Sequence, residues 1–429
     1  MTVTENQNQN QMSGGPAGGA VGSSGGSGGG SGGGSSGSGG GPGSGTGPRW
    51  SRRAVVGGLA LAPALLTAAC GHSKPRPAEI SISPADGTAK GDPSRPVTVT
   101  ATNGTLKSVK VATAAGGSVA GRFSQDRTSW TSTGRLAAGT GFKVAATAAD
   151  SAGRTVGKSS AFTTGAVFFG EFTPDHGATV GVGMPVSITF NTPVTDRAAV
   201  QRGITVRAEP AVEVVGHWFG DQRLDFRPQE YWKPGTKVTL SLRLKGVEGA
   251  RHTYGYQQKD VVFGIGRSQT SVVDLAAKRI TVTRDGRTTQ TWPVSGGGPG
   301  HTTWAGKMVI AEKFLKTRMN SQTVNLGGEY DIPDVPHAQR LTTSGTFIHG
   351  NYWSGESVFG SQNTSHGCVG MHDVQGAGDP STPAAKFYNS SMVGDIVEII
   401  NSGDRTVQPD NGLNGWNMSW ADWKAGAAT

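Results

Sequence analysis

Cys368 lies in the run Ser365-His366-Gly367-Cys368-Val369-Gly370-Met371-His372, and Thr346-Phe347-Ile348-His349-Gly350-Asn351 lies upstream of it. A thiol is a strong nucleophile only as thiolate. With an ordinary pKa of roughly 8.5 it needs a base or a cation beside it at neutral pH. His349 and His366 are the candidates. His366, two residues before Cys368, shares its face if the segment is extended and loses that face in a turn. His349 ends an apolar strand run, where an imidazole can take the thiol proton and later return it. No acidic residue is evidently placed to orient that ring. A backbone carbonyl such as that of Gly350 would suffice.

Two other chemistries compete for the same residues. His349, His366, Cys368 and His372 form a possible zinc set, but H-x-C-x3-H is not a usual zinc spacing. A cysteine peptidase of another kind would want Asn or Asp behind the histidine, and none is identifiable. The only other cysteine is Cys70, so a disulfide framework and a Cys-rich zinc module are both excluded.

The elements that must hold these residues read as strands. From residue 270 on, Ile280-Thr281-Val282-Thr283 and Thr289 to Val294 flank Asp285-Gly286, a tight hairpin turn signal. Gly296, Gly297, Gly298 and Gly300 make a loop, with no G-K-[ST] to turn it into a phosphate cradle. Further strand signal falls at Lys307 to Ile310, Thr346 to Ile348 and Asp395 to Ile400, with one short helix within Pro383 to Met392. Trp416, Trp420 and Trp423 form a stripe that must bury itself, and we expect it to pack back onto the preceding sandwich. Upstream, 78–165 and 168–266 each alternate apolar and polar residues between turn signals, as in Ile80-Ser81-Ile82 and Val238 to Leu242. Both suggest small β-sandwiches acting as spacers. Their histidines (His176, His217, His252) are isolated and read as surface or structural residues.

The pair I-H-G and S-H-G-C-V-G-M closely resembles the L,D-transpeptidase catalytic domain of bacterial cell-wall synthesis, the YkuD-type fold. Val273-Asp274-Leu275, Val294-Ser295-Gly296-Gly297 and Thr302-Thr303-Trp304-Ala305-Gly306 agree with it. The resemblance covers about 270–402. The two upstream sandwiches and the Trp-rich tail match the actinobacterial layout. It implies a mainly β chain: Ig-like domain 1 at 78–165, Ig-like domain 2 at 168–266, the catalytic domain at 270–402 and a Trp-rich subdomain at 403–429. It implies Cys368 as nucleophile, His349 as base with the Gly350 carbonyl orienting its ring, and His366 lining the site and supporting the thiolate. N–H groups around Gly367 and Cys368 would form the oxyanion hole. Ser344 and Gly345 fall where family members contact the donor peptide, and Tyr330 would be the aromatic lid. Gly370 departs from the family, which usually has Arg or Asn there to contact substrate. The implied reaction joins peptidoglycan tetrapeptide stems, donor and acceptor, by 3→3 cross-links, without a cofactor. Carbapenem β-lactams would acylate the same thiol. The alternatives are an L,D-carboxypeptidase or other cysteine hydrolase of wall peptides, and a non-catalytic wall-binding lipoprotein.

The remaining sequence bears on location. Of the 69 glycines, 20 fall in the first 50 residues, and 1–48 carries a single charge, Glu5; this composition reads as a disordered Gly/Ser-rich tail. Residues 49–70 read as an export signal. Arg49, Arg52 and Arg53 precede an apolar run at 54–66, too short for a span of about 20 residues. Thr67-Ala68-Ala69-Cys70 resembles a lipobox with Cys70 as lipid acceptor, although Thr67 departs from the usual aliphatic residue, and S-R-R-A-V-V-G resembles a twin-arginine signal. The expected location is the extracytoplasmic face of the membrane, through a lipid anchor. Hydrophobic residues at 34% exclude a polytopic membrane protein. The net charge of +9 comes from scattered Lys and Arg, which argues for anionic wall polymers or lipids and against nucleic acid.

Overall fold

A computed structural model describes residues 75–324 and 327–428. The Gly/Ser-rich segment 1–48, the export signal 49–70 and Cys70 lie outside the described residues.

The chain is mainly β. In the first sandwich, a sheet ordered Glu79–Ser83, Thr98–Thr102, Ser129–Ser132, Gly121–Phe123 faces a sheet of Gly104–Thr113, Gly141–Asp150 and Thr155–Thr163. Alternation decides which residues enter. Ile80 and Ile82 point in while their polar neighbours point out, and they join Val97, Trp130, Phe142 and Phe162 in a separate core.

The second sandwich is built differently. Its two larger sheets are Val215–Phe219, Arg223–Arg227, Val186–Phe190, Gly170–Thr173 and Thr179–Val180, Gln258–Ile265, Lys237–Arg243, Ile204–Glu209. Its core does not close on itself. Val309 and Ile396 of the next domain and Trp416 of the tail belong to the same buried cluster as Phe190, Leu224 and Leu240. Gly181 and Gly183 lie so close to Gly394–Ile396 that a Cβ on either would overlap it, at 2.3 Å and 2.1 Å. The spacer expectation therefore fails for 168–266: alternating strands reveal an apolar face but not what covers it.

The third domain has two sheets. One is ordered Arg287–Pro293, Arg279–Arg284, Gln269–Asp274, Ile396–Ile400, Gly306–Val309. The other is ordered Glu312–Asn320, Asp331–Arg340, Phe347–Asn351, Val369–His372. Val273, Ile280, Ile348, Val369, Met371 and Phe387 fill the space between them. Asp285 and Gly286 make the expected hairpin turn with φ of 48° and 79°, left-handed values that Asp tolerates and Gly prefers. The expected helix is Pro383–Ser390, started by Thr382, whose hydroxyl accepts from the Ala385 N–H.

The tail packs on the second sandwich, as its Trp spacing predicts. Trp423 is fully buried, stacks on His217 with ring centroids 4.9 Å apart, and donates from Nε1 to the Val215 carbonyl. His217 Nδ1 in turn meets the Trp423 carbonyl at 2.9 Å, so it is a satisfied structural histidine.

Candidate active site

The site is set by one parallel strand pair. Phe347–Asn351 runs beside Val369–His372 with Ile348 opposite Val369 and His349 opposite Gly370. Ile348 and Val369 point into the core. Since side chains alternate, His349 points to the other face, and Cys368, immediately before the strand, lines the same cavity as His349. The core thus pulls one set of side chains inward and presents the other set to a cleft.

A glycine-rich strap secures the segment before Cys368. Ser295 and Gly370 exchange both backbone hydrogen bonds, Gly298 N–H donates to the Ser365 carbonyl, and Ser365 N–H donates to the Gly296 carbonyl. A Cβ on Gly297 would lie 2.0 Å from the His301 carbonyl oxygen, so only glycine permits this fold-back. Residues 366–368 form a bend rather than a strand. The bend leaves His366 exposed on the rim of the cavity that Cys368 lines.

Cys368 is half-buried, and its Sγ–H donates to the Gly345 carbonyl at 3.5 Å. Burial pushes the thiol up to about 11, against a smaller lowering by the Phe347 N–H. His349 is buried, with Nδ1 2.8 Å from the Gly350 carbonyl oxygen. That contact assigns the proton to Nδ1 and leaves Nε2 as a base. Burial lowers the pKa of His349, while the Gly350 carbonyl and the charge of Asp373 raise it. Both shifts favour neutral partners, so the resting pair is thiol and imidazole rather than thiolate and imidazolium.

Asp373 is the residue the sequence did not disclose. Its buried carboxylate accepts from Thr382 Oγ1 at 2.9 Å and meets His337 Nδ1 at 2.7 Å. A Cβ on Gly350 would sit 2.0 Å from Asp373 Oδ2, so the missing side chain admits the carboxylate behind His349. Position 373 comes immediately after the strand paired with that of His349.

Two cavities adjoin at Tyr330 and His366. One, of about 310 Å³, is lined by Cys368, His349, Asn351, Trp353 and Met319 among others. The second, of about 380 Å³, is lined by Ser344, Gly345, His301, Trp304 and Asp404 among others. Tyr330 and His366 border both, with rings 5.2 Å apart. Trp353 stacks on His349 at 5.7 Å and leaves 44% of its surface exposed. The possible zinc set does not assemble: His372 packs on Phe359 instead.

Comparison with known proteins agrees with this architecture. The family profile described as the L,D-transpeptidase catalytic domain, YkuD, matches residues 268–399, and that of the bacterial Ig domain matches 88–248. L,D-transpeptidase 2 of Mycobacterium tuberculosis (strain CDC 1551 / Oshkosh) is 31% identical over 357 residues, covering 82% of this chain and 85% of the relative. The chain belongs to the L,D-transpeptidase family. L,D-transpeptidase 5 of Mycobacterium tuberculosis (strain ATCC 25618 / H37Rv) is likewise 31% identical, covering 85% of this chain and 81% of that one. A solved structure of the L,D-transpeptidase LdtMt1 in complex with imipenem is 30% identical, covers 54% of this chain and 97% of that chain, and superposes with a TM-score of 0.45.

In this L,D-transpeptidase the expected peptide-contact residues line the second cavity. The Ser344 hydroxyl accepts from Asn411 Nδ2 at 2.8 Å, and the Ser344 N–H donates to Asn411 Oδ1 at 3.0 Å. The tail therefore holds the cavity wall, a link 67 residues long that no local pattern reveals. Gly345 has φ of 98°, and a Cβ there would overlap Val324. Gly367 has φ of 111°, and its N–H donates to Ser365 Oγ at 3.2 Å. Gly370 has no such need: a Cβ would meet Asn351 and Phe359 at 3.5 Å and 3.7 Å, ordinary contacts.

Proposed function

We propose that this L,D-transpeptidase joins peptidoglycan stem peptides by 3→3 cross-links through a thioester on Cys368, with His349 as the base. The observation that supports the reading best is that His349, on Phe347–Asn351, and Cys368, immediately before the paired strand Val369–His372, line one cavity.

In this reading the Cys368 sulfur attacks the carbonyl between the third residue and the terminal D-Ala of a donor tetrapeptide, while His349 Nε2 takes the thiol proton. The C–S bond forms and the carbonyl π electrons move to oxygen. N–H groups around Gly367 and Cys368 stabilise that oxyanion. The Gly367 N–H must leave Ser365 Oγ to do so, and at 3.2 Å that bond is long and readily exchanged. The electrons return, the C–N bond breaks, and His349 gives its proton to the departing D-Ala amine. The side-chain amine of an acceptor stem then attacks the thioester, His349 takes the amine proton, and the sulfur leaves as thiol. Water in place of the amine gives L,D-carboxypeptidase activity. Tyr330, bordering both cavities, and Ser344 and Gly345 contact the peptides, and Gly370 leaves room beside Asn351 and Phe359. His366 supports the site from the rim. Carbapenems acylate the same sulfur. Export and lipidation at Cys70 place the enzyme on the extracytoplasmic face of the membrane; among the described residues no helix is long and apolar enough to cross one.

The test is the product formed from purified tetrapeptide muropeptides, together with the mass of the protein after carbapenem treatment. The expected results are 3→3 dimers with released D-Ala, and one adduct that disappears in Cys368→Ala. Tripeptides without dimers would reassign the enzyme as a carboxypeptidase. An adduct retained in Cys368→Ala would refute the nucleophile.

A further inference from the structure

Three side chains from three separate loops converge on the rim shared by the two cavities. His301 comes from the glycine strap, Glu329 from the segment before Tyr330, and His366 from the bend before Cys368. Their ligand atoms all lie within 4.8 Å of one another. Glu329 Oε2 is 3.3 Å from His366 Nε2 and 3.7 Å from His301 Nε2, and the two rings lie 5.0 Å apart. The ring nitrogens and the Glu329 carboxylate make no hydrogen bond with any described residue.

As hydrogen bonds these separations are long. As edges of a metal coordination sphere the two Glu329 separations, 3.3 Å and 3.7 Å, fit. Zinc binds imidazole nitrogen and carboxylate oxygen at roughly 2.0–2.2 Å, so two ligands at a tetrahedral angle stand about 3.4 Å apart. Two histidines and one carboxylate also supply the donor set that zinc-class ions prefer, with a fourth position left for water. All three side chains are between 35% and 42% exposed, so an ion has a direct path in. Both histidines stand at the same carboxylate oxygen.

We propose that His301, Glu329 and His366 bind one divalent ion of the zinc class, and that the bound ion fastens the Tyr330 segment to the nucleophile bend. The ion is not a cofactor of acyl transfer. It ties down the rim at the boundary of the two cavities and slows acylation of Cys368. The binding site stands on its own geometry; its effect on acylation rests on the function proposed above.

Calorimetry with Zn2+ and absorbance with Co2+, both on the Cys368→Ala protein, isolate this site from the thiol. One ion per chain is expected, with visible cobalt bands of nitrogen and oxygen ligation. Glu329→Gln, at an exposed position, and His301→Asn, at a half-buried one, are each expected to weaken binding about 100-fold. No saturable binding in Cys368→Ala, or equal affinity in both rim variants, overturns the site. In protein with the thiol intact, Zn2+ is expected to slow carbapenem acylation, and Glu329→Gln and His301→Asn to abolish that slowing. Slowing that persists in both variants places the ion on Cys368 and overturns the rim's control of acylation. Failure of carbapenem to acylate at all bears on the nucleophile and leaves the calorimetric result to decide the metal site.

Discussion

A half-buried thiol pushed up to about 11 by desolvation and a histidine lowered by burial together describe a nucleophile that ionises only as it attacks. These shifts set the pH dependence. His349 must be neutral to act, and its lowered pKa extends the neutral form below the ordinary histidine value of about 6.5. Carbapenem acylation is therefore expected to stay level from about pH 8 down through 6.5 and to fall only in more acid solution. A thiolate-like inflection near the ordinary thiol value of about 8.5 would contradict this. In His349→Ala the rate is expected to drop about 100- to 10,000-fold, the usual contribution of a positioned base. Behind His349, Asp373 raises the pKa of the ring. Asp373→Asn removes that charge, so the acid limb of the acylation profile moves to lower pH. Asp373→Ala in addition leaves His337 and Thr382 without their buried partner, and urea unfolding is expected to show a loss of about 3 kcal/mol.

Between the residues and the whole chain, the glycine strap decides whether the nucleophile bend is held. Its hydrogen bonds to Ser365 and Gly370 are all backbone, so the chain path sets the position of Cys368. Gly297→Ala inserts a methyl group where the His301 carbonyl lies at 2.0 Å. The strap must shift, and a displacement of about 1 Å at a reacting group costs about 100-fold in rate. Stopped-flow acylation with far-ultraviolet circular dichroism checks this, with the rate falling while the strand signal is kept. The tail acts on the opposite wall. Asn411 holds Ser344, while Asn414, fully buried, accepts from the Val309 N–H at 2.9 Å and donates to the Leu341 carbonyl at 3.0 Å.

Across the whole molecule, the two sandwiches differ in their dependence on the catalytic domain. The first closes its own core, whereas the second shares its core with Val309 and Ile396 of the catalytic domain and Trp416 of the tail. Deleting 75–165 is expected to leave soluble-enzyme acylation unchanged. Deleting 168–266 exposes a shared apolar core and is expected to yield insoluble protein, read by expression and size-exclusion chromatography. Trp423→Ala, which empties a fully buried indole site between the tail and Val215–Phe219, is expected to cost about 3–5 kcal/mol in urea unfolding.

Much of this protein was legible without coordinates because its information is local. Strand alternation showed which side of Ile80 to Ile82 and of Val238 to Leu242 faces inward, Asp285-Gly286 announced its turn, and the Trp spacing announced a buried stripe. The short runs around His349 and Cys368 carried the family resemblance. Other features depended on which distant segments meet. Asp373 behind Gly350, Asn411 on Ser344, the rim of His301, Glu329 and His366, and the core shared through Ile396 each join residues whose spacing in the chain carries no pattern. The protonation of the pair also lay beyond the sequence. A thiol and an imidazole have fixed chemistry, but their pKa values depend on how far water is excluded around them, and packing across the two sheets alone decides that.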